Sequence, residues 1–231
     1  AHNGYSVCGY DDYLREPVRR YLEHSGVELR NLLIPEQLGG VEAVVYSSAL
    51  RPEHSLLRAA RERGLRVIRR GEMLAEVSAG KRLVAVAGSH GKTTTCGMIA
   101  YAAGQANLPV DAILGGFFNE ADRSPVRSCG GEWLVAEVDE SDGTIDGFAP
   151  EVTLLLNLDW DHPDRYPDAG EITRSFNGLL RRTRQQVILP PGELPARTSA
   201  KVDFASGAEN ASTPDARQYS NGKTCQCADH C

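Results

Sequence analysis

Residues 83 to 95 read Leu83-Val84-Ala85-Val86-Ala87-Gly88-Ser89-His90-Gly91-Lys92-Thr93-Thr94-Thr95, and Cys96-Gly97-Met98-Ile99-Ala100-Tyr101-Ala102-Ala103 follows directly. Five apolar residues in a row suit a strand buried on both faces, as in a parallel sheet. The run after Thr95 has helical character. Between the two, Gly88 and Gly91 let the backbone bend so that successive N–H groups converge, and the helix N-terminus adds its partial positive charge. A strand, a glycine loop and a helix in this order cradle phosphate. The candidate nucleotide-binding set is therefore Gly88, Ser89, His90, Gly91, Lys92, Thr93 and Thr94. Lys92 suits the β and γ phosphates, and Thr93 can offer its hydroxyl to Mg²⁺. The usual phosphate loop has a further glycine five residues before the second one, and Val86 holds that place. A chance Gly-Lys-Thr in a turn is the competing reading, and the strand, the helix and the run of threonines weigh against it.

Outward from this loop the chain alternates β-rich and helical patterns. Before it come strands over 5–9, 43–47 and 66–68, with helices near 16–25 and 53–63. The second helix opens at Pro52-Glu53 and stops at Gly64. After the small, polar stretch Val77-Ser78-Ala79-Gly80-Lys81 the pattern restarts, with strands over 83–87, 110–114, 133–138, 152–157 and 186–189 and helices over 92–105 and 169–182. Alternation of this kind predicts an α/β protein with parallel sheets. A boundary near 80 separates two domains, 1–79 and 80–205. From about 205 the chain has few apolar side chains, so 206–231 is expected to be a polar, disordered tail.

Two downstream motifs follow predicted strands, at the end where α/β sheets place their ligands. Trp133-Leu134-Val135-Ala136 delivers Glu137-Val138-Asp139-Glu140-Ser141-Asp142. Four acids so close repel one another unless cations sit among them, and a hard, oxygen-seeking Mg²⁺ is the natural candidate. A solvated acidic turn is the plain alternative. The strand over 152–157 leads to Asn157-Leu158-Asp159-Trp160-Asp161-His162-Pro163-Asp164. Histidine is a poor Mg²⁺ ligand in general, so taken alone this second motif stays undecided.

Together these motifs resemble the Mur ligase family. Its phosphate loop reads Gly-Thr-x-Gly-Lys-Thr-Thr, with Ser89 standing in place of the first threonine. Its later motif reads Asn-(Leu or Ile)-x-x-Asp-His-x-Asp. The histidine before the second glycine and the acidic motif are most similar to the branch that joins L-alanine to UDP-N-acetylmuramate. The resemblance implies an ATP- and Mg²⁺-dependent ligase of peptidoglycan precursor synthesis working through an acyl phosphate, with those two small molecules as partners. It implies Lys92, Glu137 and His162 as catalytic residues, Thr93, Glu137 and His162 as metal ligands, and Asn157, Asp161 and Asp164 as their support. Similarity is weaker over Gly4–Asp11, Val44–Ala49 and Val67–Leu74, which look like the family's UDP-sugar domain. There it places Ser47 and Ser48 by the diphosphate, against the plain reading of a strand end with turn-forming serines.

On this reading the fold is an incomplete, Rossmann-like N-terminal domain followed by a P-loop ATPase-like central domain, likewise incomplete. The family's opening glycine-rich loop, its adenine-binding Asn/His segment and its C-terminal domain find no counterpart, so the expectation is a fragment truncated at both ends. Alternatives are another Mur-type ligase, such as one that recycles tripeptide, a P-loop kinase or switch protein, and an inactive nucleotide-binding remnant. Composition narrows the partners. Of 231 residues 41% are hydrophobic, and 25 basic against 31 acidic residues give a formal charge of −6. That balance exerts no general pull toward nucleic acid or anionic membrane. Without a spanning apolar run or a secretory N-terminus, a bacterial cytoplasmic location is expected. The oligomeric state stays open. Cys8, Cys96 and Cys129 are expected to be free, buried thiols. The terminal cluster Cys225, Cys227, His230 and Cys231 matches no common zinc spacing.

Overall fold

A computed structural model describes residues 4–32, 34–116, 124–159, 166–190 and 201–204. Asp161, His162 and Asp164 and the terminal cysteine cluster lie outside the described residues. Contacts divide the chain into two compact units, one built on Ala1–Met73 and the other on Leu74–Phe117 and Pro125–Ala228.

In the first unit, β1 (Cys8–Gly9) leads through α1 (Glu16–His24) to β2 (Glu28–Leu29), and the two strands pair in parallel. After a 3-10 turn over Pro35–Leu38, β3 (Ala43–Tyr46), α2 (Ser55–Glu62) and β4 (Arg66–Arg69) repeat the plan, again with parallel strands. Leu38, Leu56, Leu57 and Ala60 form the core beneath. The second helix begins two residues later than Pro52-Glu53 suggested. His54 is its N-cap, its Nδ1 accepting from the backbone N–H of Leu56 at 3.2 Å. A side-chain acceptor at the N-cap outweighs the proline signal. A third helix, α3 (Arg70–Ser78), was not foreseen. Glu72 starts it by accepting from the backbone N–H of Arg69 at 2.8 Å, the reciprocal half of a capping box. The division between the units falls inside α3, where Leu74 and Ala75 already pack on the core of the second unit.

The second unit carries β5 (Arg82–Ala87), α4 (Lys92–Gln105), β6 (Val110–Ile113), β7 (Val126–Arg127), β8 (Trp133–Glu137), β9 (Val152–Leu155), α5 (Ala169–Arg182), β10 (Gln186–Leu189) and β11 (Lys201–Phe204). They build one seven-stranded sheet in the order β11-β10-β9-β5-β8-β6-β7, parallel throughout except for β7. Along β5, Leu83 and the run Val86–Ala87 are buried, as a strand covered on both faces requires. One face takes α4, which buries Cys96, Ala100 and Ala103 at helical spacing. Helix α5 buries Ile172, Phe176, Leu179 and Leu180, and Asp168 caps it by accepting from the N–H of Glu171 at 2.9 Å.

The strand order fixes where a ligand can sit. From β5 the chain crosses through α4 to β6, on one side, whereas from β9, the other neighbour of β5, it crosses through α5 to β10 on the opposite side. Connections that leave in opposite directions open a crevice at the carboxyl ends of the strands. The glycine loop stands at that crevice. No helix among the described residues is long and apolar enough to cross a membrane.

Candidate functional site

Residues 88–91 turn sharply between β5 and α4. Gly88 has φ of 130° and Gly91 φ of 83°, both in the left-handed region that favours glycine. A Cβ on Gly88 would lie 3.1 Å from the backbone N and O of Asn157, so the close approach of β9 also demands glycine. Asn157 clamps the loop. Its Oδ1 accepts from the N–H of His90 at 2.9 Å, and its Nδ2 donates to the His90 carbonyl at 3.0 Å. Beside it, Ser89 Oγ donates to the Asp159 carbonyl at 2.8 Å and accepts from the Asp159 N–H at 3.0 Å. Asp159 Oδ2 stands 3.7 Å from His90 Nε2.

From the other side of β5 comes the acidic segment. Thr93 Oγ1 donates to Glu137 Oε2 at 3.0 Å, and the opposite oxygen of that carboxylate accepts from the backbone N–H of Gly115, just beyond β6. A Cβ on Gly115 would meet Glu137 Oε1 at 2.7 Å. Lys92 Nζ donates to the Gly88 carbonyl at 2.7 Å and to the Glu140 carboxylate at 3.0 and 3.3 Å, with Asp139 Oδ1 at 3.7 Å. Glu140 is fully buried, and the buried Tyr166 hydroxyl donates to its carbonyl at 2.8 Å.

The sheet thus gathers Gly88, Ser89, His90, Gly91, Lys92, Thr93, Glu137 and Asn157 at the carboxyl ends of β5, β8 and β9. Thr94 occupies the first turn of α4. Ser47 and Ser48 lie in the first unit, at the carboxyl end of β3, where Ser47 Oγ accepts from the N–H of Ala49 at 3.1 Å in a serine turn. A cleft of about 160 Å³ in that unit is lined by Gly9, Tyr10, Asp11, Arg19 and Arg30, where β1 and β2 end.

Within the acidic run the four carboxylates divide their work. Asp139 Oδ1 accepts from the N–H of Ser141 at 3.1 Å, and Asp142 Oδ1 from that of Thr144 at 3.0 Å, so both shape the turn. Glu137 faces Thr93 and Glu140 faces Lys92. The roles of Glu140, Tyr166 and Gly115 escaped sequence reasoning. A buried acid invites a search for a buried cation, but burial is a property of the folded chain.

The Thr93 hydroxyl and the Glu137 carboxylate are hard oxygen donors, the kind Mg²⁺ selects, and they fit that ion. Among the described residues no group of three or more His, Cys, Asp or Glu side chains is arranged around a common metal position. Of Cys8, Cys96 and Cys129, only Cys96 is buried, contrary to the expectation that all three are. Burial, and secondarily the charge of Glu137, push its thiol far up, so it stays protonated.

A largely parallel sheet with a glycine loop at its switch point, a lysine and a threonine at the head of the following helix, and carboxylates facing both define an α/β protein with a ligand crevice at the glycine loop. The family model described as the Mur ligase family, catalytic domain, matches residues 1–82. Proteins described as UDP-N-acetylmuramate--L-alanine ligase are similar over much of the chain. That of Desulfosudis oleivorans is 40% identical over 179 residues, covering 78% of this chain and 39% of the relative. That of Roseiflexus is 34% identical over 222 residues, covering 94% of this chain and 44% of the relative. The chain belongs to the Mur ligase family. It spans less than half the length of these relatives.

Solved structures establish the same fold. The UDP-N-acetylmuramate:L-alanyl-gamma-D-glutamyl-meso-diaminopimelate ligase of Neisseria meningitides superposes with a TM-score of 0.75 at 23% identity, over 88% of this chain and 71% of its own. The UDP-N-acetylmuramate-alanine ligase MurC of Thermotoga maritima gives 0.73 at 22%, over 83% and 45%.

Proposed function

We propose that this chain supplies the nucleotide-binding part, and part of the UDP-sugar-binding region, of a bacterial ATP-dependent ligase joining L-alanine to UDP-N-acetylmuramate in peptidoglycan precursor synthesis. The observation that carries the proposal is the meeting of Lys92 and Thr93 with Glu140 and Glu137 across the glycine loop. The similarity to alanine ligases at 34 to 40% identity supports the choice of amino acid. Residues 80–205 form the ATP-binding domain on this reading and residues 1–79 the UDP-sugar region, with Ser47 and Ser48 beside the diphosphate.

The backbone N–H groups of the loop hold the phosphates, and Lys92 neutralises charge as the γ-phosphoryl group passes to the carboxylate of the sugar. The resulting acyl phosphate is attacked by the amine of alanine, and phosphate departs. Thr93 and Glu137, with the His162 that the family resemblance adds, would hold Mg²⁺, which would supply further neutralisation of that charge. Nothing in this chemistry asks for a protein nucleophile; it asks for positioning. The substrates, ATP and a nucleotide-linked sugar, place the reaction in the cytoplasm.

Titration of the purified chain with ATP and Mg²⁺ tests the nucleotide assignment. Binding is expected, with a loss of at least about tenfold in Lys92→Ala, the scale of a charged hydrogen bond. Binding that ignores the substitution would sink the loop assignment. Phosphate release is then assayed with UDP-N-acetylmuramate and either L-alanine or the L-alanyl-γ-D-glutamyl-meso-diaminopimelate tripeptide. Dependence on alanine supports the ligase as proposed, and dependence on the tripeptide replaces it by the recycling activity. Binding without release makes this chain a nucleotide-binding piece that does not turn over by itself.

A further inference from the structure

Glu140 is an acid removed from the solvent-accessible surface. Its side chain is fully buried, and the Lys92 side chain it faces is 13% exposed. Taking a carboxylate and an ammonium out of water is costly, so such a pair persists only where each partner compensates the other. Both carboxylate oxygens of Glu140 lie within hydrogen-bond distance of Nζ, at 3.0 and 3.3 Å.

The backbone under Glu140 is held as firmly as its side chain. Its carbonyl accepts from the Tyr166 hydroxyl at 2.8 Å and from the N–H of Gly143 at 3.1 Å. Its neighbours Asp139 and Asp142 spend a side-chain oxygen on turn N–H groups, whereas the carboxylate of Glu140 is aimed across β5. Lys92 is then gripped from two directions, by the Gly88 carbonyl at 2.7 Å and by Glu140. An ammonium has three N–H donors. With these contacts made, one remains for a phosphate oxygen.

We propose that Glu140 is a positioning residue for phosphate binding. It is an internal counter-ion that keeps the Lys92 ammonium folded over the glycine loop, so that an entering nucleotide need not order that side chain itself. The proposal rests on the nucleotide reading above and adds to it a residue that acts through Lys92 rather than on phosphate or metal.

A double-mutant cycle with two readouts tests it: ADP affinity in the presence of Mg²⁺ by calorimetric titration, and thermal unfolding without nucleotide. The chains are the wild type, Glu140→Gln, Lys92→Met and the double variant. Glu140→Gln is expected to weaken ADP about tenfold, within the coupling range of contacting residues. In the Lys92→Met background the same change should alter affinity by less than about twofold, because the group through which it acts is gone. Glu140→Asp, which keeps the charge, should recover part of the loss. A residue that serves only the fold would not confine its effect on ADP to chains that possess Lys92. Additive losses in the cycle overturn the proposal. So does tighter ADP binding in Glu140→Gln, which would make Glu140 a competitor of phosphate.

If Glu140→Gln leaves Lys92 uncompensated and unfolds the chain, the test passes to the double variant and Glu140→Asp. The double variant should then refold and bind ADP like Lys92→Met, and a double variant that binds more weakly overturns the proposal. A wild-type chain that fails to bind ADP removes both the nucleotide reading and the positioning role. Coupling in the unfolding cycle would then mark the pair as part of the fold alone. A wild-type chain that binds ADP with no coupling overturns the positioning role and leaves the nucleotide reading standing.

Discussion

Glu72 receives hydrogen bonds from the Arg69 side chain, at 2.7 and 3.0 Å, and from the Arg69 backbone N–H. First the side-chain bond and then the backbone bond hold its carboxyl below its ordinary value of 4.5. A depressed folded-state value means that the unfolded chain binds the proton more readily. The contribution to stability is therefore complete above pH 4.5 and is lost as pH falls through the lower, folded value. With the Glu72 side chain 42% exposed, solvent screening keeps the effect below about 1 kcal/mol. Acid titration of thermal stability should show Glu72→Gln less stable than wild type at neutral pH, with the gap closing below pH 4.5. A gap that does not close would place its origin in something other than the carboxylate. At this scale the sequence was legible where chemistry alone decides. That Gly88 and Gly91 would form a turn, with Lys92 and Thr93 at the head of a helix, could be expected from their place between an apolar run and a helical one. Glu140 could not be separated from Asp139 and Asp142, because all three are acids in one turn and only packing buries one of them.

The clamp between β9 and the glycine loop belongs to the scale of elements. Asn157 spends both its amide groups on the backbone of His90, so the shape of the loop depends on the segment that follows β9, which also holds Ser89 through Asp159. Replacing Asn157 by Ala removes two hydrogen bonds at about 1 kcal/mol each and leaves the His90 N–H without its acceptor. The expected result is a fall of several degrees in Tm and a several-fold loss of ADP affinity at unchanged secondary structure. Unchanged ADP affinity would show that the loop keeps its shape without the clamp. Among the elements themselves, α4, α5 and β10 have the bounds expected of them: α5 is amphipathic and capped by Asp168, α4 follows directly from the glycine loop, and β10 coincides with its apolar run. Other elements were missed. Helix α3 has apolar and charged residues scattered around its circumference, and it ends in the small, polar stretch that reads as a domain boundary. Strands β2 and β7 are two residues long and exist only because a neighbour is there to pair with.

At the scale of the molecule, alternating strands and helices announced parallel sheets, and the sheets of both units are parallel except at β7. What could not be read was the order of strands. The placement of β5 between β8 and β9 brings three motifs to one crevice, and that placement is decided by which apolar faces pack together. The order also has a consequence in time. His90 and Asn157 are 67 residues apart, and Lys92 and Glu140 are 48 apart, so each contact closes a long loop. Loop closure of this kind is paid for in chain entropy before the contact returns anything, and parallel sheets assembled from distant segments fold slowly. Helices α4 and α5 can form early from local contacts, but the glycine loop acquires its clamp only once β9 has docked against β5. In refolding from denaturant, the helical signal at 222 nm should thus recover ahead of ADP binding, and ADP binding should return with the slowest phase. Recovery of both in one phase would mean that the crevice is assembled in the same step as its helices. On this order of events, a refolding chain with this topology should have its helices before its glycine loop has the shape that the clamp gives it.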